Sequence, residues 1–217
     1  MDQLTGWWRA IATADVDGDD VLATYDPTNI TGLSYRDPRL DLTHGPHPVV
    51  AFSHGYISIR FQSFYMMEHL ASHGFVVISP DHPTNTLFDL DQTNDVNMML
   101  ERPDDVRYSV DHLFSLSKEE GRFKDGLLTD EYAAMGHSFG AVTVMRLGGG
   151  VVDWQALDAH CESGKGNGRV CEVLREIDGE VGDHGELDER VRTTVPMSPG
   201  IWYAFGENGL GLESLQI

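Results

Sequence analysis

The stretch EYAAMGHSFGAVTVMRL, residues 131–147, decides the fold of this chain. Its apolar first part ends in a G-x-S-x-G pattern at residues 136–140, and a segment with helical spacing follows directly. A serine between two glycines, with a strand before it and a helix after it, is typical of a nucleophile elbow. The glycines matter because a side chain at either position would collide with the sharp turn. We therefore predict that Ser138 is a nucleophile at a strand-to-helix turn.

A second segment, HPVVAFSHGY at residues 47–56, predicts another part of the same site. Acyl transfer needs N–H donors for the oxyanion, and one of them is the amide of the residue after the nucleophile, Phe139. The other usually comes from the loop after an earlier strand. That position is the amide of Tyr56, where Gly55 lets the backbone approach. We predict an oxyanion hole at Tyr56 and Phe139, and we expect the Tyr56 ring to form an aromatic wall of the substrate pocket.

Hydrophobic spacing along the chain predicts strands that alternate with helices. The strands are apolar throughout, which is typical of a parallel sheet covered by helices on both faces, and the predicted fold class is therefore α/β. Pro103 is expected at the first position of its helix, where its missing N–H is not needed. The predicted strands are residues 48–53, 75–79, 131–136 and 191–198, and the predicted helices are residues 61–74, 102–116 and 139–147.

The length of 217 residues suits a single domain with its own core. The only cysteines are Cys161 and Cys171, and no C-x-x-C pattern is present, so a zinc site is not expected. A small disulfide and two free thiols both stay open. The predicted regions are a polar N-terminal region at 1–47, a core with the elbow at 48–147, a Gly- and acid-rich surface excursion at 148–189, and a last strand and loop at 190–217.

The chain is strongly acidic, with 35 Asp and Glu against 15 Lys and Arg and a formal net charge of −20. That balance argues against nucleic acid and against anionic membrane surfaces as partners. The first twenty residues do not form a signal-peptide pattern, and no apolar run has the length of a membrane span, so stable membrane insertion is not expected. The compartment stays open between cytoplasmic and secreted. A homo-oligomer is compatible with the sequence.

Four blocks of the sequence resemble a known family: VVAFSHGYISIRFQSFYMMEHLASHGFVVISPDHP, ERPDDVRYSVDHL, MGHSFGAVTVMRL and VRTTVPMSPG. They resemble the α/β-hydrolases grouped as platelet-activating factor acetylhydrolase-like and dienelactone hydrolase-like, to which bacterial cutinases and polyester hydrolases are related. The resemblance covers about residues 47–210. It implies an α/β-hydrolase fold and hydrolysis of carboxylic esters (small acyl, lipid or polyester) through an acyl-serine, with no metal or organic cofactor. It also implies a substrate-binding aromatic residue at Trp202.

The catalytic acid and base are harder to place. In α/β-hydrolases the triad runs Ser, then Asp or Glu, then His along the chain. The resemblance implies an acid and a histidine that follow the strand after MSPG, which we expect beyond residue 217, so the chain is expected to lack the C-terminal part of the fold. Two alternatives stay open. One is a non-catalytic relative or binding protein, and the other is a substitute triad that uses His160 or His184 with Asp153, Asp183 or Asp188.

Two further histidines lie next to predicted strands. His54 follows the first strand, and we expect it to hold the oxyanion turn. His82, in the segment SPDHP, is expected to shape its own loop.

Overall fold

The computed structural model describes residues 32–35, 39–91, 95–118, 121, 123–165, 171–172, 187–206 and 209–215. Backbone contacts divide the chain into two compact units, Met1–Tyr35 and Arg36–Ile217. Only residues 32–35 of the first unit are described, and they are exposed. All elements named below belong to the second unit. The prediction of one domain over residues 1–217 stays a prediction.

The centre of the second unit is a sheet of four parallel strands in the order β2-β1-β3-β4. The strands are β1 (His47–Ser53), β2 (Val76–Ile78), β3 (Leu127–His137) and β4 (Val191–Met197). The parallel arrangement confirms the predicted α/β class. Ser53 at the end of β1 is in register with Gly136 near the end of β3. The two loops that were predicted to form the site therefore leave the sheet at the same edge.

Helices connect and cover these strands. The described helices are α1 (Phe64–Ser72), α2 (Asp95–Ser115), α3 (Phe139–Leu147) and α4 (Trp154–Glu162), followed by two 3-10 turns at Trp202–Phe205 and Leu210–Leu212. Among the described segments, none of the helices combines the length and the apolar character that a membrane crossing requires.

Helix α3 lies between two hydrophobic clusters, and residues 140–147 are all buried. Apolar contacts on both sides fix this helix, and with it the turn at its start. The first cluster joins the sheet to α2 and α3 through Val49, Ala51, Val106, Val110, Leu113, Phe114, Leu127, Tyr132, Ala134, Val144, Leu147 and Val191. The second joins α3 to α4 and the 3-10 turns through Val142, Met145, Val152, Leu157, Ile201, Tyr203, Ala204 and Phe205.

Helix α2 begins at Asp95, so the prediction that it starts at Pro103 is wrong. Pro103 lies inside the helix, where its lack of an N–H removes one backbone hydrogen bond. Met98, one turn upstream of the proline, and Arg102, directly before it, are both buried. Packing of this face outweighs the local preference of proline for a helix start.

The described parts of the range 148–189 include a helix and buried side chains, whereas the sequence predicts a surface excursion. Helix α4 lies within this range, and Val152 and Leu157 are buried in the second cluster. Cys161 at the end of α4 forms a disulfide with Cys171, which decides between the two states left open above.

Two other predicted elements are less buried than expected. Helix α1 has no fully buried residue, and Phe61, the first residue of the predicted helix 61–74, lies before the observed helix with 61% of its surface exposed. Strand β2 is half-buried rather than buried, because it pairs with β1 alone in the described sheet.

Candidate active site

Ser138 occupies the sharp turn between β3 and α3. Its backbone angles are φ 56° and ψ −116°, a region that residues with a side chain rarely adopt. Such strain persists only where the surrounding structure imposes it, and it concentrates at functional sites. Here the Ser138 N–H donates to the carbonyl of Met197 at 2.9 Å, which ties the turn to the end of β4. The turn has the strained strand-to-helix form of a nucleophile elbow.

Three glycines surround this turn, and at two of them no side chain fits. A Cβ on Gly136 would collide with the backbone of Gly140, and a Cβ on Gly140 would collide with the carbonyl oxygens at the end of β1. A Cβ on Gly200, in the loop after β4, would lie 3.3 Å from Ser138 Oγ. The two glycines of the sequence pattern therefore have the steric role expected of them. Gly200 is a third glycine that the pattern does not include.

The loop after β1 approaches the elbow as predicted. A Cβ on Gly55 would lie 3.4 Å from the Cβ of Ser138. The rings of Tyr56 and Phe139 pack edge to face with 6.2 Å between their centroids. The structure thus brings together the nucleophile and both residues whose amides were predicted to form the oxyanion hole.

Gln62 links the loop after β1 to the elbow, and no local sequence signal points to it. Its Oε1 accepts the N–H of Gly55 at 2.7 Å, and its Nε2 donates to Nδ1 of His137 at 2.8 Å. Burial lowers the pKa of His137, which favours the neutral ring that this hydrogen bond requires. Because Gly55 donates to Gln62, the Gly55 amide is engaged within the loop.

A buried relay of Ser53, His82 and Asp105 lies beneath the loop. Ser53 Oγ is 2.9 Å from His82 Nε2, and His82 Nδ1 is 2.8 Å from Asp105 Oδ2. The chemical order is that of a catalytic triad, but Ser53 and His82 are fully buried and no substrate can reach them. Burial holds the pKa of His82 well below its ordinary value, and burial raises the pKa of Asp105 to about 6 against the effect of Arg102. The relay is therefore a structural support for the ends of β1 and of its neighbouring loop.

His54 and Arg102 complete this buried layer. His54 Nδ1 bonds the carbonyl of Gly55 at 2.8 Å, and its Nε2 accepts the N–H of His82 at 3.2 Å. Burial lowers the pKa of His54 to about 4, and the charge of Arg102 adds to the effect. The Arg102 guanidinium donates to the carbonyl of His54 and lies 5.0 Å from the centroid of the Phe139 ring. His54 holds the turn, as expected, whereas no local sequence signal points to Arg102.

The structure does not join the substitute triad residues to Ser138. His160 stacks on the ring of Tyr203 with 4.0 Å between centroids, and Asp153 caps α4 by accepting the N–H of Ala156. Asp188 accepts hydrogen bonds from the Tyr132 hydroxyl and from Arg190. Asp183 and His184 lie outside the described residues.

Within the described part of the chain, no histidine hydrogen-bonds to Ser138 Oγ. In the same part of the chain, no group of three or more His, Cys, Asp or Glu side chains is placed to hold a metal ion.

Trp202 begins the 3-10 turn after β4 and is 54% exposed. It lies two positions after Gly200, the glycine that packs against Ser138 Oγ. This placement is compatible with the predicted substrate-binding role, which stays a prediction.

An all-parallel sheet with a strained G-x-S-x-G turn at the carboxyl end of a central strand defines an α/β-hydrolase-type protein. The family model for chlorophyllase matches residues 38–158, which is more than half of the chain and includes β1, the loop after it, α2, β3 and the elbow. The chain therefore belongs to the chlorophyllase family, an esterase-type family. No curated protein and no solved structure is significantly similar to it.

Proposed function

We propose that this chain is a serine carboxylic-ester hydrolase that works through an acyl-serine intermediate. The observation that carries the proposal is the strained backbone of Ser138 at the turn between β3 and α3. Ser138 Oγ attacks the ester carbonyl while a base removes its proton, and the tetrahedral intermediate then expels the alcohol, which takes that proton. Water attacks the acyl-serine in the same way and releases the acid.

The amides of Tyr56 and Phe139 form the proposed oxyanion hole. Phe139 is the first residue of α3, so its amide also lies at the positive end of the helix dipole. Gln62 accepts the N–H of Gly55, which directs the next amide, that of Tyr56, to the oxyanion. Two donors aimed at the developing charge supply a large part of the rate enhancement in acyl transfer.

The proposal assigns the general base and its acid to sequence outside the described residues. His82 and His54 are excluded as bases because both are fully buried and bonded to backbone or to the Ser53 relay. His160 is stacked against Tyr203. His184 is the remaining sequence-based candidate after Ser138 within the 217 residues.

The proposed substrates are carboxylic esters as a class, including small acyl esters, lipids and polyesters. We also propose that the chain belongs to the narrower class of platelet-activating factor acetylhydrolase-like and dienelactone hydrolase-like enzymes, which it resembles in sequence. The family name refers to chlorophyll, which is itself a carboxylic ester and is one further substrate to test. Tyr56 and Trp202 are the proposed aromatic walls of the acyl pocket.

The direct test is hydrolysis of a p-nitrophenyl acyl ester by the wild-type chain and by Ser138→Ala. We expect release of p-nitrophenol by the wild type and loss of at least about three orders of magnitude in the variant. Ser115→Ala, at an exposed serine of α2, is the matched control and should retain full activity. Equal activity of Ser138→Ala and the wild type would contradict the nucleophile assignment.

A second candidate is a non-catalytic relative that binds esters without hydrolysing them. The observation that favours it is that no described histidine hydrogen-bonds to Ser138 Oγ. Under this alternative an ester or a non-hydrolysable ether analogue binds with the same affinity to the wild type and to Ser138→Ala, and neither protein releases product.

A further inference from the structure

We propose that Arg102 is a positioning residue that sets the geometry of the proposed oxyanion hole from the buried side of the loop after β1. The inference rests on the proposed function and deepens it. Neither a local sequence motif nor the family resemblance assigns Arg102 a role.

The contacts of Arg102 reach both parts of the proposed hole. Its Nη2 donates to the carbonyl oxygen of His54 and lies 3.5 Å from Ser53 Oγ. The His54 carbonyl belongs to the peptide group immediately before the one that carries the Tyr56 amide, so fixing it limits the path of the loop. On the other side, the guanidinium lies 5.0 Å from the centroid of the Phe139 ring, within cation–π distance. One buried side chain thus contacts both the loop proposed to present one donor and the residue proposed to present the other.

The burial of Arg102 is unusual for a guanidinium that forms no ion pair with any carboxylate among the described side chains. Only 1% of its surface is exposed, and no described carboxylate lies within ion-pair distance of it. Its Nε and Nη1 have no hydrogen-bond partner among the described residues. Burying a charge in this way is costly. Burial also lowers the pKa of Arg102, an effect that nearby Asp105 opposes, but a guanidinium keeps its proton at neutral pH.

This cation is therefore available to stabilise negative charge at the neighbouring hole. Asp105, the nearest acidic influence on Arg102, is engaged with His82. A charge in a low-dielectric interior acts over several ångströms. Arg102 is thus suited to two roles at once, because it fixes the His54 carbonyl and adds a positive field behind the oxyanion.

The catalytic test compares an ester with its thionoester, whose C=S sulfur is a poor hydrogen-bond acceptor. An intact oxyanion hole favours the oxoester, so the ratio of kcat/KM for the two substrates reports on the hole alone. We expect Arg102→Met to lower this ratio about tenfold or more, by comparison with loss of one oxyanion donor. Arg102→Lys keeps the charge and should lose less. Arg107→Met on the same helix removes a surface ion pair with Asp104 and should leave the ratio unchanged.

The ratio separates positioning from a merely structural role, because partial unfolding lowers both rates equally. If Arg102→Met does not fold, as judged by circular dichroism, Arg102→Lys carries the test. A folded Arg102 variant with the wild-type ratio would overturn the proposal.

A second readout does not depend on turnover. Hydrogen exchange of the wild type and the Arg102 variants is followed in peptides that cover residues 53–58 and 138–141. We expect amide exchange in these peptides to be faster in the Arg102 variants than in the wild type. Exchange in the centre of β3 should be the same in both. Absence of turnover in the wild type would contradict the proposed esterase function, whereas unchanged exchange in a folded Arg102 variant would contradict the role of Arg102.

Discussion

Gly140 packs directly against the carbonyl oxygen of Ser53, so that the first turn of α3 touches the end of β1 with no room for a methyl group. This contact joins the turn at Ser138 to the strand that precedes the proposed oxyanion loop. Because both ends are backbone, neither can give way without moving a buried strand or helix. The contact therefore fixes the distance between the two halves of the proposed site.

Replacing Gly140 should be far more damaging than replacing a glycine in open space. We expect Gly140→Ala to lower the free energy of unfolding by at least about 3 kcal/mol, because its Cβ meets backbone in a packed core, and Gly140→Val to be worse. Gly164→Ala is the control: its φ of 73° is strained for alanine but nothing lies within 4 Å of the new Cβ. That variant should lose about 1 kcal/mol. Urea unfolding measures both, and equal losses would argue against the close contact.

The strain at Ser138 predicts an unequal effect of two substitutions that both remove the nucleophile. Glycine accepts φ 56° and ψ −116° at no steric cost, whereas alanine keeps the strain. We expect Ser138→Gly to be more stable than Ser138→Ala by about 1 kcal/mol, despite the greater entropy of glycine in the unfolded chain. Thermal unfolding monitored by circular dichroism tests this order. If the alanine variant is the more stable one, the turn is not strained.

The buried relay predicts how stability depends on pH. The pKa of Asp105 is raised to about 6, so this group stabilises the fold below about pH 4, and the contribution is lost as pH rises through 6. His54 and His82 have lowered pKa values, so their contributions are present above about pH 6.5 and are lost on acidification. The two effects oppose each other between pH 4 and 6.5.

Asp105→Asn removes the contribution of Asp105 to the pH dependence of stability, which opposes that of His54 and His82. The asparagine keeps an oxygen acceptor for His82. We expect the stability of this variant to fall more steeply than that of the wild type between pH 6.5 and 4.5, by on the order of 1 kcal/mol after allowance for the partial exposure of Asp105. Urea unfolding at three pH values measures the difference. A parallel pH dependence of the two proteins would contradict the raised pKa of Asp105.

Trp202 should affect substrate binding more than chemistry. As an exposed aromatic residue near Gly200, it can contact an acyl chain without touching the reacting carbonyl. We expect Trp202→Ala to raise KM about tenfold for a long-chain ester, with little change in kcat, since the lost contact acts equally on the ground state and transition state. Phe88→Ala, which also removes an exposed aromatic ring, is the control. A fall in kcat with unchanged KM would remove Trp202 from the pocket wall.

The parts of the site that the sequence predicts are those set by local pattern. Ser138, its two flanking glycines and the neighbouring apolar strands lie within one short stretch, and the strand before Tyr56 has the same apolar character. The parts that it does not predict join distant positions. Gln62 and His137 are 75 residues apart, and His82 and Asp105 are 23 residues apart. Neither pair lies within one helix or strand, so the local spacing of residues does not predict these contacts.

At Pro103 the sequence does contain a local signal, but tertiary packing overrides it. The local preference of proline for a helix start is real, but the buried side chains of Met98 and Arg102 hold the preceding turns in helix. Tertiary packing decided the helix start, and packing is not visible in the local pattern. Arg102 is the first residue of the predicted helix 102–116, and no local sequence signal indicates its buried contacts with the loop after β1.

The activated state of Ser138 is the central claim, and labelling with a fluorophosphonate tests it most directly. The folded wild-type chain and Ser138→Ala are treated side by side and read by intact mass. We predict a single adduct on the wild type, located at Ser138 by peptide mapping, and no adduct on the variant. Absence of an adduct on the folded wild-type chain would contradict the activation of Ser138. Equal labelling of the wild type and Ser138→Ala would contradict it as well.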